Sequence, residues 1–153
     1  MSAPPRITLR HRFDPAVSRA LLKGLIDHNA EQTGYRSYVD LQLAARDARG
    51  RLIAALEGGI WYRWLTIKLL WVAKGHRRGG VGRMLIARAE AEAIKHGCVG
   101  AWLDTFSFQA RPFYEKLGYR LCGTIDGFPP GHKRFFLQKR LRPAATAKRK
   151  RNL

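Results

Sequence analysis

Cysteine is scarce, at two positions in 153 residues. Cys98 and Cys122 stand in no metal-ligand spacing, so a zinc ribbon or a disulfide framework is excluded, and each reads as a small buried apolar residue. Long hydrophobic runs are missing too. No stretch of eighteen apolar residues occurs, and the opening "MSAPPRITLR" lacks the apolar middle of a signal peptide, so nothing argues for export or membrane spanning and a cytoplasmic location is expected. Acids are few, 11 against 29 Lys and Arg, for a net charge of +18. Such an excess predicts a polyanionic partner, whether nucleic acid, an anionic surface or a phosphorylated small molecule. Five of the cations fall in the last dozen residues, "RPAATAKRKRNL", and the remainder still carries +13. With Pro, Ala and no apolar period, residues 142–153 are expected to form a disordered basic tail after a single domain over 1–141. That tail is a candidate for weak nucleic-acid contact, although no helix-turn-helix, zinc or ribonucleoprotein motif accompanies it.

The rest of the chain alternates strand and helix signals. "RITLRHRF" alternates Ile7, Leu9 and Phe13 imperfectly with polar residues and predicts a first strand. Asp14-Pro15 reads as an N-cap with Pro at the first helical position, and Val17, Leu21, Leu22 and Leu25 recur on one face of a helix over about 14 to 29. Val39, Leu41 and Leu43 alternate with Asp40 and Gln42 before the turn signal "DARG". "RLIAALEGGIW" and "RWLTIKLLWVA" are two further strands joined around Trp61 and Tyr62. In the second, Leu65, Ile67 and Leu69 alternate with Thr66 and Lys68 until both faces turn apolar at Leu69 to Val72, the pattern of a strand reaching the sheet centre. A helix over about 81 to 96 follows, with Val81, Met84, Leu85 and Ala89 inward and Gly97 as its stop. "CVGAWLDTF" is a strand, "QARPFYEKLG" a short helix, and "YRLCGTI" and "KRFFLQKRL" are the last two strands around the turn-rich "DGFPPGH". The order β-α-β-β-β-α-β-α-β-β predicts one mixed sheet with helices, an α/β (α+β) fold. An apolar run such as "RFFLQ" on a sheet edge would favour a homodimer.

Between the fourth strand and the long second helix lies "GHRRGGVGRML". Strand, glycines and helix start together turn successive backbone N–H groups toward an anion, because glycine permits the required φ and keeps Cβ atoms out of the way. Arg77, Arg78 and Arg83 add mobile positive charge. A Walker loop is excluded, since no Lys is followed by Ser or Thr here, and a dinucleotide fingerprint fails because Leu85 stands where the third glycine belongs.

What fits is R-x-x-G-x-G, as Arg77, Arg78, Gly79, Gly80, Val81 and Gly82. This segment resembles the pyrophosphate loop of the GNAT superfamily of acyl-CoA N-acyltransferases. A second segment, "QARPFYEKLGY", is similar to the A-x-x-[LF]-Y-x-x-x-G-[FY] stretch of the same superfamily, here Ala110, Phe113, Tyr114, Gly118 and Tyr119. With the element order, the resemblance covers roughly residues 6 to 141. It implies a mostly antiparallel central sheet, flanked by helices, whose fourth and fifth strands splay. Backbone groups around Leu70, Trp71 and Val72 would pair with the pantetheine arm of acetyl-CoA, the co-substrate, and the loop from Arg78 to Arg83 would hold its pyrophosphate. No metal and no membrane partner is implied.

Acetyl transfer to a primary amine of a small molecule or protein, by direct attack in a ternary complex, needs that amine neutral, a stabilised oxyanion and a proton for the departing thiolate; the alternative is a nucleic-acid-associated basic module that uses the same fold without catalysis. The resemblance assigns the proton to Tyr114, a phenol protonated at neutral pH. A backbone N–H near Leu70 to Val72 is the oxyanion donor. Some members carry a Glu base on this strand, but residues 63 to 73 contain no Asp, Glu or His, which leaves Glu57 and Asp104 as candidates. Ser107 stands where many relatives have Asn, a cofactor contact. Trp61, Tyr62, Trp64 and Phe128 are candidates for the acceptor side, where a shared scaffold varies its loops. A cationic amine would be repelled by the net charge, so either Glu57, Asp104 and Asp126 form an acidic pocket or the amine is presented on something anionic.

Overall fold

The computed structural model describes residues 3–142, so the expected tail, Arg142 apart, lies outside the described residues. The chain divides between Ser37 and Tyr38 into two compact units. The first carries α1 (Pro15–Thr33), which begins where the sequence predicts it. Asp14 accepts the N–H groups of Ala16 at 2.9 Å and Val17 at 3.4 Å, and Gly34, at φ 76°, closes the helix through its N–H to the Ala30 carbonyl. The expected strand at 6–13 is not formed, and Ile7, Leu9 and Phe13 are exposed. Arg10, His11 and Arg12 break the two-residue period between Leu9 and Phe13, so the stretch has no continuous apolar edge to bury in a ladder.

The second unit is a six-stranded sheet of β1 (Tyr38–Arg46), β2 (Leu52–Trp61), β3 (Trp64–Val72), β4 (Gly100–Phe106), β5 (Arg120–Asp126) and β6 (Lys133–Arg140), with α2 (Val81–Lys95) and α3 (Arg111–Lys116). Its order is β1-β2-β3-β4-β6-β5, antiparallel throughout except for the parallel pair β3–β4. The edges are therefore β1 and β5. The apolar "RFFLQ" run lies in β6, between two neighbours, and is not the free edge expected for dimer pairing. Cys98 is fully buried as expected, whereas Cys122 is exposed, because it is the extra residue of an irregularity between Leu121 and Gly123 on edge strand β5.

The core lies on one face of the sheet, where Ala54, Leu56, Ile60, Leu65, Ile67, Ala101, Leu103 and Leu137 meet Leu85, Ile86, Ala89 and Ala93 of α2. Met84, expected inward, is 67% exposed, since the buried stripe of α2 runs through Gly82, Leu85, Ile86, Ala89 and Ala93 and Met84 lies about 200° around the helix from Gly82 and Ile86.

Two irregularities of β3 shape everything that follows. Register with β2 runs Ala54↔Val72, Ala55↔Trp71, Leu56↔Leu70 and Glu57↔Leu69, then jumps to Gly58↔Ile67, so Lys68 is an extra residue. A one-residue bulge exchanges the faces. Leu65 and Ile67 are buried before it, Leu70 and Val72 pack on the core after it, and Leu69 and Trp71 turn to the other face at 64% and 49% exposure. The apolar run at 69–72 thus records a change of phase, and its second face is open, not covered as the sequence suggests. The second irregularity is a parting of strands. Pairing of β3 with β4 ends at Ile67↔Leu103, while β3 runs on to Val72 and β4 to Phe106.

Candidate active site

Where β3 and β4 part, a cleft of about 940 Å³ opens. Its floor comes from β3, one wall from the turn before α2 and the first turn of that helix, and the other from the end of β4 and α3. Backbone geometry decides what the floor offers. Ala73 donates to the Ile53 carbonyl at 2.8 Å. Because bonded and non-bonded pairs alternate along an antiparallel ladder, Leu69 and Trp71 spend their backbone groups on β2. Leu70 and Val72 turn theirs into the gap. Arg77 Nε, donating to the Val72 carbonyl at 3.1 Å, marks that orientation. Of the three residues expected to offer backbone groups, Leu70 and Val72 do so, and Trp71 brings only its side chain to the cleft.

The wall beside α2 presents backbone N–H groups and guanidiniums. Gly80 caps the helix at φ 84°, a left-handed conformation that suits glycine, and no side chain bonds the helix start. Its carbonyl accepts from Met84 N, so the N–H groups of Val81, Gly82 and Arg83 have no partner within the helix. Arg78 also holds a positive φ, 68°, at a non-glycine position, a local strain of about 1 kcal/mol that the surrounding turn sustains. Arg77, Arg78, Gly80, Val81, Gly82 and Arg83 line the cleft, as does His76; Gly79 alone of the expected loop does not.

Tyr114 forms the opposite wall, its ring 6.2 Å from that of Tyr119. Burial, and secondarily the charge of Asp104, raise its phenol above the usual range, so it keeps its proton at neutral and mildly alkaline pH. Behind it, Tyr119 is fully buried, donates to Glu90 Oε1 at 2.9 Å, and shares that carboxylate with Lys139 Nζ at 2.8 and 3.0 Å.

The two candidate bases fare differently. Asp104 lines the cleft, but Arg134 Nε donates to its Oδ2 at 2.7 Å and Phe106, Phe128 and Phe136 surround that guanidinium at 5.0–5.5 Å. Glu57 lies one strand away, exposed, accepting from Gln42 Nε2 at 2.7 Å, and is not among the lining residues. Asp126 pairs with Lys133 at 2.7 Å. The described residues therefore build no acidic pocket from these three.

Four aromatics were expected near the acceptor. Trp61, Tyr62 and Trp64 sit at the β2–β3 hairpin, where Trp61 and Tyr62 stack at 4.4 Å and Trp64 lies over Gly100 with the Arg140 guanidinium 5.4 Å from its ring. Six residues of extended chain, roughly 20 Å, separate Trp64 from Leu70, so this end of the sheet is not the cleft. Phe128 stands closer, through Phe106 and Arg134, yet outside the lining. Ser107 joins β4 to β6, its Oγ accepting from Lys133 N at 3.1 Å, and also stays outside. Sequence reasoning missed Lys68, Leu69, Phe108, Gln109 and Phe113 in the lining. Gln109 closes β4, its Oε1 accepting from Thr105 Oγ1 and Phe106 N.

A gap between parallel strands, backed by unpaired amides and three guanidiniums, fits a long polyanionic thioester cofactor, and the comparisons agree. The model of the acetyltransferase (GNAT) family matches residues 9–119, and the chain belongs to that family. It is an acetyl-CoA-dependent N-acetyltransferase, with acetyl-CoA as donor and an amine as acceptor. Blasticidin-S acetyltransferase of Streptomyces morookaense is 38% identical over 142 residues, covering 92% of this chain and 99% of that protein. Among solved structures, one from Agrobacterium tumefaciens described as an acetyltransferase superposes with a TM-score of 0.82 at 29% identity, covering 90% of this chain and all of that one. A Bacillus anthracis protein described as a streptothricin acetyltransferase, solved in complex with acetyl coenzyme A, shares the fold with a TM-score of 0.61 at 24% identity over 68% of this chain and 64% of its own. No helix among the described residues is long and apolar enough to cross a membrane, and no group of His, Cys, Asp and Glu among them could hold a metal.

Proposed function

We propose that this enzyme acetylates the primary amine of a small molecule, of the kind that blasticidin-S acetyltransferase acts on. The observation that carries this reading is the 38% identity along nearly the full length of both chains. Bound acetyl-CoA supplies the acetyl thioester. For its diphosphate, the N–H groups of Val81, Gly82 and Arg83 are the donors, with Arg77, Arg78 and Arg83 as counter-charge. Leu70 and Val72 pair with the amide-bearing arm, and one of their N–H groups supports the carbonyl oxygen as negative charge builds on it. As the new N–C bond forms and the C–S bond breaks, the Tyr114 hydroxyl gives its proton to the departing sulfur and is recharged from solvent; the amine gives up its own proton to water. Asp104 and Glu57 are not needed as bases in this scheme, one being held by Arg134 and the other lying a strand away.

The reaction is assigned to the cytoplasm, and a basic segment over 142–153 adds weak, salt-sensitive contact with nucleic acid. Thiol release from acetyl-CoA in the presence of blasticidin S, streptothricin or peptides with free N-termini tests the acceptor class. Release with either antibiotic and none with peptides is expected; release with peptides alone would overturn the small-molecule reading.

A further inference from the structure

The lining of the cleft draws on both faces of the sheet, and the two faces are unlike. On the core face, Val81 of α2 and Phe113 and Tyr114 of α3 pack against the buried cluster, so the start of α2 and the Tyr114 ring lie on that side. On the other face three large apolar side chains of the lining are exposed: Leu69 and Trp71 on the β3 bank, and Phe108, at 57%, on the β4 bank. Phe108 belongs to this face because Phe106 does. Leu103 and Thr105 are buried on the core side of β4, so Phe106 points the other way, and the Arg134 guanidinium lies 5.4 Å from its ring. The Phe108 ring stacks on Phe106 at 5.1 Å with 4° between the planes, and His132 meets it edge-on at 5.0 Å. Trp71 lies four residues beyond the last β3–β4 pair, Ile67↔Leu103, and Phe106 three, so the indole and the phenyl stack stand at similar heights on facing banks.

Resting on the acetyltransferase reading above, we propose that Phe108, with Trp71 on the facing bank, forms an acceptor subsite that selects a planar unsaturated ring on the molecule whose amine is acetylated. A coenzyme with its diphosphate on α2 and its sulfur toward Tyr114 fills the core-face side of the gap, so the exposed face is the approach left to the amine. The acid in the lining, Asp104, is held by Arg134 Nε at 2.7 Å, so this rim grips an acceptor by shape and apolar contact, not by an unpaired carboxylate. Stacked or edge-on contact between flat rings adds to what burial alone gives, and a puckered ring of the same carbon count gains only the burial. A ring already held by Phe106 and His132 loses little freedom when a second ring settles against it.

The test uses two coenzyme A thioethers whose sulfur carries a 2-phenylethyl or a 2-cyclohexylethyl group, so that the coenzyme delivers a flat or a puckered ring to the acceptor side whatever the natural acceptor. Calorimetry on the full chain gives the Kd of each thioether and of coenzyme A itself. Phe108→Leu and Trp71→Leu keep an apolar side chain and remove the flat ring at positions about half exposed, where the core is not disturbed. Each should lower the preference for the phenyl over the cyclohexyl thioether by about 2- to 10-fold. Phe108→Tyr should retain it, and the Kd of coenzyme A should stay at the wild-type value in all three. A preference unchanged in either leucine variant overturns the proposal, as does binding of coenzyme A with neither thioether bound. A Phe108→Leu variant that loses as much affinity for coenzyme A as for the thioethers overturns it too, making the ring a coenzyme contact. Failure of coenzyme A itself to bind the wild type would instead remove the coenzyme reading of the cleft, and this subsite with it.

Discussion

Replacing Glu90 by Leu tests whether Tyr114 stands on a rigid base. Glu90 accepts from Tyr119 Oη at 2.9 Å and from Lys139 Nζ, and its side chain is 13% exposed against 26% for Lys139. Without the carboxylate, the hydroxyl of the fully buried Tyr119 is stranded, at about 1–3 kcal/mol. Lys139 loses its counter-charge, but a quarter of it already reaches water, so less than the roughly 3–5 kcal/mol of a fully buried broken pair applies. The sum is about 3–4 kcal/mol. Tyr119→Phe leaves Glu90 and Lys139 paired and should cost about 1 kcal/mol. The double variant should lose less than the two singles together, because the stranded hydroxyl is gone. Urea unfolding at neutral pH measures all three. The same knot sets an alkaline limit: burial, with Glu90 beside it, raises the Tyr119 phenol far above its ordinary value. A group whose pKa is raised on folding stabilises below its unfolded value and loses that contribution as pH climbs past about 10. Stability should therefore fall above that pH in the wild type and fall less in Tyr119→Phe. A Glu90→Leu variant within about 1 kcal/mol of wild type, or parallel alkaline declines, would refute the reasoning.

Tyr114→Phe should lower turnover by about 10²- to 10⁴-fold with acetyl-CoA affinity changed little, since only the proton is removed; an equal loss in affinity would make the residue a binding group. Gly100→Ala places a Cβ against the Trp64 indole, 2.5 Å from Cζ3, and should destabilise by about 1–3 kcal/mol. Its acetyl-CoA affinity, measured below the melting range, should stay at the wild-type value because Trp64 lies at the far end of β3. Raising salt should slow acetyl-CoA association, as expected for a +18 protein meeting a polyanion, with a smaller effect on dissociation.

Most of the sheet was legible because its strands carry clean two-residue periods and its helices begin and end at recognisable residues: Asp14-Pro15 at one start, Gly80 at another. The turn that leads into α2 was legible for the same local reason. A cradle made of consecutive amides is written in consecutive residues, and Arg77 to Arg83 fall where expected, Gly79 excepted. The β3 floor of the cleft depends on register, which is not local. One inserted residue at Lys68 decides that Leu69 and Trp71 face the cleft and that Leu70 and Val72 face the core, and nothing in "TIKLLWV" marks which residue is extra. Trp61, Tyr62 and Trp64 are predicted on the acceptor side as part of a variable loop, yet they sit at the β2–β3 hairpin, the end of β3 away from the cleft. Likewise "RFFLQ" is apolar because it is covered by two neighbouring strands, not because it awaits a partner.

The central claim is that coenzyme A lies in the gap between β3 and β4 with its diphosphate on the start of α2. Titrating coenzyme A into the 15N-labelled chain and following backbone amides measures this directly. The amides of Arg78 to Arg83 should shift most, with those of Leu70 and Val72 following and those of Trp61 to Trp64 unmoved. Shifts confined to the β2–β3 hairpin, or none at saturating coenzyme A, would contradict the account.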